Sequence, residues 1–172
     1  MTIKKILTEP DPFLRQKSQV VEKVDDEIRR LMNDMLDTMY SAQGIGLAAI
    51  QIGVPKRIIV IDLLKEKEKK NPLYFINPEI IWSSKEDATY EEGCLSVPGQ
   101  FAEIDRPDKC HIKYLDYNGI KKELKAEGLL ATCIQHEIDH LEGILFIDYL
   151  SKLKRSMIIK KLSKLKPNSA IL

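Results

Sequence analysis

No apolar run in this 172-residue chain approaches the roughly 20 residues that span a bilayer. A helical membrane anchor is therefore not expected. The opening residues Met1-Thr2-Ile3-Lys4-Lys5-Ile6-Leu7 lack a signal peptide's long apolar stretch. Cysteine is scarce: there are three, an odd number without a disulfide-scaffold spacing, which suits a reducing compartment and makes the cytoplasm the expected location. Neither sign of charge dominates, since 27 Lys and Arg face 26 Asp and Glu for a net charge of +1. Bulk electrostatics thus gives no reason to expect nucleic-acid binding. Internal repeats and low-complexity tracts are also missing. What remains, 44% apolar and 31% charged residues, describes an ordinary globular protein of one domain with a substantial core.

The pattern of elements predicts an α+β fold. Asp25 begins an amphipathic helix in which Ile28, Leu31, Met32, Met35, Leu36, Met39 and Tyr40 repeat at three and four, with Asp26 and Glu27 in its first turn. Residues 57–62 form a β-branched run that reads as a buried strand. A charged loop is expected over residues 65–71. A second strand covers residues 73–82, interrupted by Asn77-Pro78. Residues 111–116 alternate, Tyr117-Asn118-Gly119 turns, and residues 120–124 pair back as a hairpin. The order helix, strands, helix argues against alternating βαβ units.

The densest chemistry lies at Gln135-His136-Glu137-Ile138-Asp139-His140. This is the His-Glu-x-x-His pattern: two imidazoles four residues apart share a helical face, and the Glu lies beside any water on a metal they hold. The surrounding residues, from Leu129 and Leu130 through Leu141 to Leu145 and Phe146, are apolar nearly all round, as in a buried central helix. Gly128 marks its start and Gly143 falls near its end. Two histidines and a glutamate in such a helix are costly unless something satisfies them. The alternative is two core histidines with hydrogen-bond partners and a surface Glu.

A catalytic site needs a third protein ligand and one open position. The metzincin route places a His three residues after Gly143, but Phe146 stands there. Downstream, Asp148 is the only acid left after Glu142. The upstream donors are Cys94, Cys110 and His111, together with Cys133 on the motif helix. Cys133 lies in line with both histidines, and three collinear donors cannot surround a tetrahedral ion. Cys110 and His111 occupy an alternating strand, where Cys is commonly a small buried hydrophobe. The Glu92-Gly93-Cys94-Leu95-Ser96-Val97-Pro98 context favours Cys94, because Gly allows close backbone approach and Pro98 is expected to end any strand nearby. Cys110 and His111 stay as alternatives.

Three segments in order, Gly44-Ile45-Gly46-Leu47-Ala48-Ala49-Ile50-Gln51, Glu92-Gly93-Cys94-Leu95-Ser96 and Gln135-His136-Glu137-Ile138-Asp139-His140-Leu141, closely resemble those of bacterial peptide deformylases. The likeness runs from the N-terminal Ile6-Leu7 through Asp148-Tyr149-Leu150. It implies mixed or antiparallel sheets packed around the central metal-binding helix. It also implies a catalytic unit over residues 1–150, with a C-terminal basic helix and tail over 151–172 as part of the same unit. The implied metal ligands are Cys94, His136 and His140; the implied general base is Glu137; the implied oxyanion donors are the Gln51 side chain and the Leu95 backbone N–H. The implied reaction removes formate from the N-formylmethionine of nascent polypeptides. The metal is expected to be a single divalent ion, Fe2+ by family and Zn2+ by tetrahedral geometry, with Ni2+ or Co2+ also accepted.

Gly44 and Gly46 are expected to let an extended peptide approach as an added strand, and Gly93 is also expected to bind substrate. Ile45, Leu129, Thr132 and Cys133 should form the slot for a Met side chain; the alternative for Leu129 and Cys133 is plain core. Family members carry Arg three positions after the Pro of the Cys motif, where this chain has Phe101, so an apolar contact is expected there. Tyr90 is expected at the pocket rim. Glu92 and Arg106 resemble the family's buried ion pair, although the sequence equally allows a solvated one.

Residues 151–172 carry seven Lys or Arg and no acid, with Leu153, Met157, Ile158, Leu162 and Leu165 as an apolar stripe. The resemblance implies a monomer whose basic helix reaches the ribosome near the exit tunnel. Two other functions compete: a metallopeptidase or other amidase using the same helix, and a non-catalytic ribosome- or RNA-binding module with a structural metal.

Overall fold

The computed structural model describes residues 2–63 and 69–169, with side chains in the final helix described through Lys164. Residues 64–68, at the start of the expected charged loop, and the Leu165 side chain lie outside the described part. Helix α1 spans Asp26–Ser41, and the Asp25 carboxylate accepts the Ile28 N–H at 3.0 Å, a cap that contributes about 1 kcal/mol. Strands β1 (Gly46–Ala48), β2 (Ile58–Ile61), β3 (Leu73–Ser83), β6 (Lys109–Leu115) and β7 (Lys121–Glu127) form one sheet in the order β1-β2-β3-β6-β7. Strands β4 (Asp87–Cys94) and β5 (Val97–Pro107) form a separate hairpin. Among the described residues every ladder is antiparallel, and one parallel bridge joins Gln19 to Lys56. Helix α2 (Gly128–Leu141) follows β7, and α3 (Lys152–Ser169) ends the described chain.

The β-branched run of β2 is buried on both faces. Ile58 and Val60 pack with Ile28, Met32, Met35 and Met39 of α1, whereas Ile59 and Ile61 pack with Ala131, Cys133, Ile134 and Leu141 of α2. Burial of each such side chain stabilises by about 1.5–3 kcal/mol. The sheet therefore sits between the two helices, and α2 is central. A third cluster joins Val97 and Ile104 of the hairpin to Phe146, Ile147 and, on α3, Ile158 and Leu162. The N-terminal segment ties separate parts together. The N–H groups of Leu7, Glu9 and Ser18 donate to the carbonyls of Gln51, Ser96 and Leu141.

Several elements depart from the expectations. The β4–β5 hairpin and β1 are additional strands. Pro98 does not end a strand but lies second in β5. Cys94 pairs with Val97 and Gly93 with Phe101, so residues 98–100 bulge out of the ladder, where the missing proline N–H costs nothing. Asn77-Pro78 likewise bends β3 without stopping it. Asn77 has φ 53° and uses its amide to bond both backbone groups of Val21, at 2.8 and 2.9 Å. Helix α2 ends at Leu141 rather than running to Phe146, because Gly143 adopts φ 76°. Gly143 and Ile144 then donate to the carbonyls of His140 and Asp139 as a Schellman cap. Along α3 the expected stripe is only partly docked: Ile158 and Leu162 are buried, whereas Leu153 and Met157 are 72% and 50% exposed.

Candidate metal centre

One turn of α2 separates His136 from His140, whose ring centroids lie 5.1 Å apart. Both are buried. Cys94, the last residue of β4, brings Sγ to 3.3 Å from His140 Nε2. The donor atoms of Cys94, His136 and His140 all lie within 4.8 Å of one another. The other upstream donors are elsewhere: Cys110 is fully buried in the sheet–helix core and His111 lies tilted against Trp82 with centroids 4.6 Å apart.

His136 is oriented from behind. Its Nδ1 donates to Glu92 Oε1 at 2.9 Å, which leaves Nε2 for the centre. Glu92 in turn accepts two bonds from Arg106, at 2.7 and 3.0 Å, and both residues are buried rather than solvated. Arg106 also reaches Asp139 at 2.8 Å, and Tyr149 OH donates to the same carboxylate at 2.7 Å. Burial raises the Glu92 carboxyl, but its bonds to His136 and Arg106 outweigh this and hold it below its ordinary value. Burial also lowers His136, yet Cys94, Glu137 and Glu92 together keep it well above the usual range. His140 is held well below that range by burial and by the charge of His136.

Glu137 is buried one residue beyond His136, and desolvation pushes its carboxyl up to about 7. Its Oε2 lies 3.9 Å from His136 Nε2, while Oε1 has no hydrogen-bond partner among the described residues. Gly46 makes room for it, since a Cβ there would stand 2.6 Å from Glu137 Oε2. The Gln51 amide is fixed at both ends: Oε1 accepts from Ala48 N–H at 2.9 Å and Nε2 donates to Ser96 Oγ at 2.9 Å. The same Nε2 is 3.6 Å from Cys94 Sγ, so the Gln51 donor borders the centre.

A cavity of about 450 Å³ opens beside these groups. Gly44, Ile45 and Gly46 line it from the β1 segment, Gly93 and Leu95 from the hairpin, and Leu129, Thr132 and Cys133 from α2. Leu129 is 44% exposed and so is not plain core, whereas Cys133 is buried and lines the cavity. Thr132 Oγ1, like His140 Nδ1, is also buried without a partner among the described residues. Tyr90 and Phe101 stand at this cavity as expected, and the Phe101 ring lies across Gly93, where a Cβ would come within 2.5 Å of it. Ser96, Asp139 and Tyr149 were missed as functional positions. Ser96 belongs to the Cys motif and was the one findable partner for Gln51; nothing in the sequence joined Tyr149 to Asp139.

The donor set fits a metal ion. A tetrahedral ion with metal–sulfur bonds of about 2.3 Å and metal–nitrogen bonds of about 2.0 Å places its donors roughly 3.5 Å apart, close to the Sγ–Nε2 separation here. The Glu92–His136 contact is the outer carboxylate that metal-bound histidines commonly have. A thiol and two imidazoles about one point, a buried carboxylate beside them and an adjoining cavity define a metal-dependent hydrolase.

Comparison with known proteins narrows this class. The family model described as polypeptide deformylase matches residues 3–156. The chain is 70% identical over 173 residues to the peptide deformylase of Pelagibacter ubique, covering 99% of each protein. Crystal structures of peptide deformylase from Ehrlichia chaffeensis superpose with a TM-score of 0.91 at 46% identity, covering 96% of this chain and 97% of that one. A complex of the same protein with actinonin gives 0.91 at 49% identity, covering 95% and 98%. The chain belongs to the polypeptide deformylase family. Its activity is hydrolytic removal of the formyl group from the N-formylmethionine that begins nascent polypeptides, with release of formate.

Proposed function

We propose that Cys94, His136 and His140 hold one divalent metal ion, Fe2+ in the native protein, and that Glu137 is the general base. The observation that carries this reading is the convergence of the Cys94 thiol and the two imidazoles beside a buried carboxylate. When bound, the ion supplies Lewis-acid activation of water and of the formyl carbonyl. Glu137 takes a proton from the attacking water on its carboxylate and returns it to the departing amine, a base turned acid. Negative charge grows on the formyl oxygen as the bond to water forms. The Gln51 Nε2–H and the Leu95 N–H stabilise that charge, and one such donor contributes about 3 kcal/mol. Gln51 arrives already oriented by Ala48 and Ser96, so little reorganisation accompanies the step.

The substrate's backbone runs along β1, an edge strand of the five-stranded sheet, and pairs with it as an added strand. Its Met side chain enters the cavity between Ile45 and the Leu129–Thr132–Cys133 face of α2. The test is formate release from formyl-Met-Ala-Ser against acetyl-Met-Ala-Ser, with elemental analysis after anaerobic purification. Iron at one equivalent per chain with turnover of the formyl peptide supports the reading. Bound metal with no formate from either peptide overturns it.

The protein acts in the cytoplasm as a monomer, and α3 carries it to the ribosome near the exit tunnel. Support for the ribosome contact comes from the basic residues of α3 and from its exposed Leu153 and Met157. Lys160 and Lys164 are exposed. Their replacement by Glu reduces co-sedimentation with ribosomes while formate release from the tripeptide continues; unchanged sedimentation removes the ribosome contact.

A further inference from the structure

A second hollow, of about 480 Å³, lies between β5 and α3. Ala102, Leu150 and Ile158 line its apolar part, and Lys154, Met157 and Lys161 stand one turn apart along its α3 side. It adjoins the catalytic cavity: Gln100 and Phe101 line both. Phe101 is 65% exposed, so an apolar ring stands at the junction with no protein side chain covering most of it. Singly exposed apolar residues are unremarkable. Here, however, two of them, Phe101 and Met157, border one groove, and Phe101 also borders the catalytic cavity.

The electrostatics of the groove are one-sided. Lys154 and Lys161 are exposed and form no ion pair within the described residues, while Glu103 is the single acid in the lining. The helix that supplies both lysines carries no acid anywhere. An extended polypeptide advances about 3.3 Å per residue, so a chain fixed at its first residue in the catalytic cavity must leave that cavity within a few residues. The shared Gln100–Phe101 wall offers a route onto α3.

We propose that this groove receives the part of a formylated polypeptide downstream of the residues held in the catalytic cavity, and that it selects acidic segments over basic ones. The proposal rests on the deformylase reading of the first cavity. Phe101 and Met157 cover apolar parts of the downstream chain, and Lys154 and Lys161 meet its carboxylates. Both interactions are made equally before and during hydrolysis, so the selection acts on KM and leaves kcat alone.

The experiment measures formate release from formyl-Met-Ala-Ser and from two octapeptides that extend it with either three Glu or three Lys at positions five to seven. For the metal-loaded wild type at low salt, kcat/KM is about fivefold higher for the acidic octapeptide, the reach of two exposed charge contacts, and the difference fades at roughly 0.5 M salt. The double variant K154E/K161E reverses the order while turnover of formyl-Met-Ala-Ser stays within about twofold. The control K160E/K164E makes the same change in net charge at exposed positions that do not line the groove, and it preserves the wild-type order. Equal rates for the two octapeptides, or the same response in both double variants, overturn the proposal. Loss of ribosome co-sedimentation in K154E/K161E with an unaltered octapeptide ratio also overturns it, assigning the groove to another partner. Turnover of the tripeptide in each assay separates failure of the groove from failure of the deformylase reading.

Discussion

Glu92 Oε1 stands 2.9 Å from His136 Nδ1 while the same carboxylate takes two bonds from the Arg106 guanidinium. A buried ion pair and the orientation of a metal-binding imidazole are thus one structure. Deleting half of a buried pair leaves an uncompensated charge, which costs about 3–5 kcal/mol. In Glu92→Gln, Asp139 stays bonded to Arg106, so a loss of about 3 kcal/mol is expected in urea unfolding. Metal affinity should fall about tenfold to a hundredfold in a chelator competition. The loss also has a pH signature. Glu92 is held below its ordinary value of 4.5, so its contribution is present above that value and disappears as pH falls through the lowered one. The variant should lack that part of the acid limb, and an acid limb identical to wild type would refute the coupling.

Gly46→Ala tests the space given to Glu137. The new Cβ would stand 2.6 Å from Oε2, and the carboxylate must swing away because the strand behind it is paired to β2. The expected result is normal metal content with kcat lowered about a hundredfold, the cost of misplacing a catalytic group by about 1 Å. Unchanged kcat would mean that Glu137 acts from a different rotamer.

Gly143→Ala tests the end of α2. Its φ of 76° disfavours any side chain, and a Cβ would collide with the Arg15 carbonyl, which is backbone and cannot swing aside. A loss of about 2–3 kcal/mol is expected by chemical denaturation. Since Ser18 bonds the Leu141 carbonyl in the same turn, amide exchange should quicken at both places. A cost below about 0.5 kcal/mol would show the turn to be adaptable.

Thiol labelling distinguishes the three cysteines. Burial pushes the Cys110 thiol up to about 11 and the Cys133 thiol up to about 12. The reactive thiolate of each is therefore scarce at neutral pH and grows only as pH rises toward those values. With iodoacetamide at about pH 7.5, mass spectrometry should find Cys94 alone modified in metal-stripped protein and none modified after metal is restored. Labelling of Cys94 at an equal rate with and without metal would remove it from the ligand set.

Much of the fold was legible because its signals are local. The α1 period and Asp25 cap, the β-branched β2 and the Tyr117-Asn118-Gly119 turn each report on neighbouring residues. The β4–β5 hairpin is different. Asp87, Glu91, Glu103 and Asp105 are acidic and exposed, so beyond Val97 the inward face is marked by Glu92, Ile104 and Arg106, and two of those three are charged. A strand whose buried face holds an ion pair has no apolar alternation to read. Pro98 then suggested a strand end where the structure has a bulge. The ligand set was reachable through the motifs, but the Arg106–Asp139–Tyr149 chain behind it joins residues that no spacing rule connects. The α3 stripe misled in the other direction: helical period identified the apolar face, yet could not tell which half of it would be covered.

The bonds from Leu7 to Gln51, from Glu9 to Ser96 and from Ser18 to Leu141 set an order of events during synthesis. The segment over residues 7–18 has nothing to grip until the loops around residues 51 and 96 exist, and its last hold waits for the end of α2. His136 and His140 are themselves translated after both of these loops. A copy that has not yet reached α2 thus possesses Cys94 but neither histidine nor the complete brace that aligns them. An enzyme that serves growing chains is inert until its own chain has grown past α2.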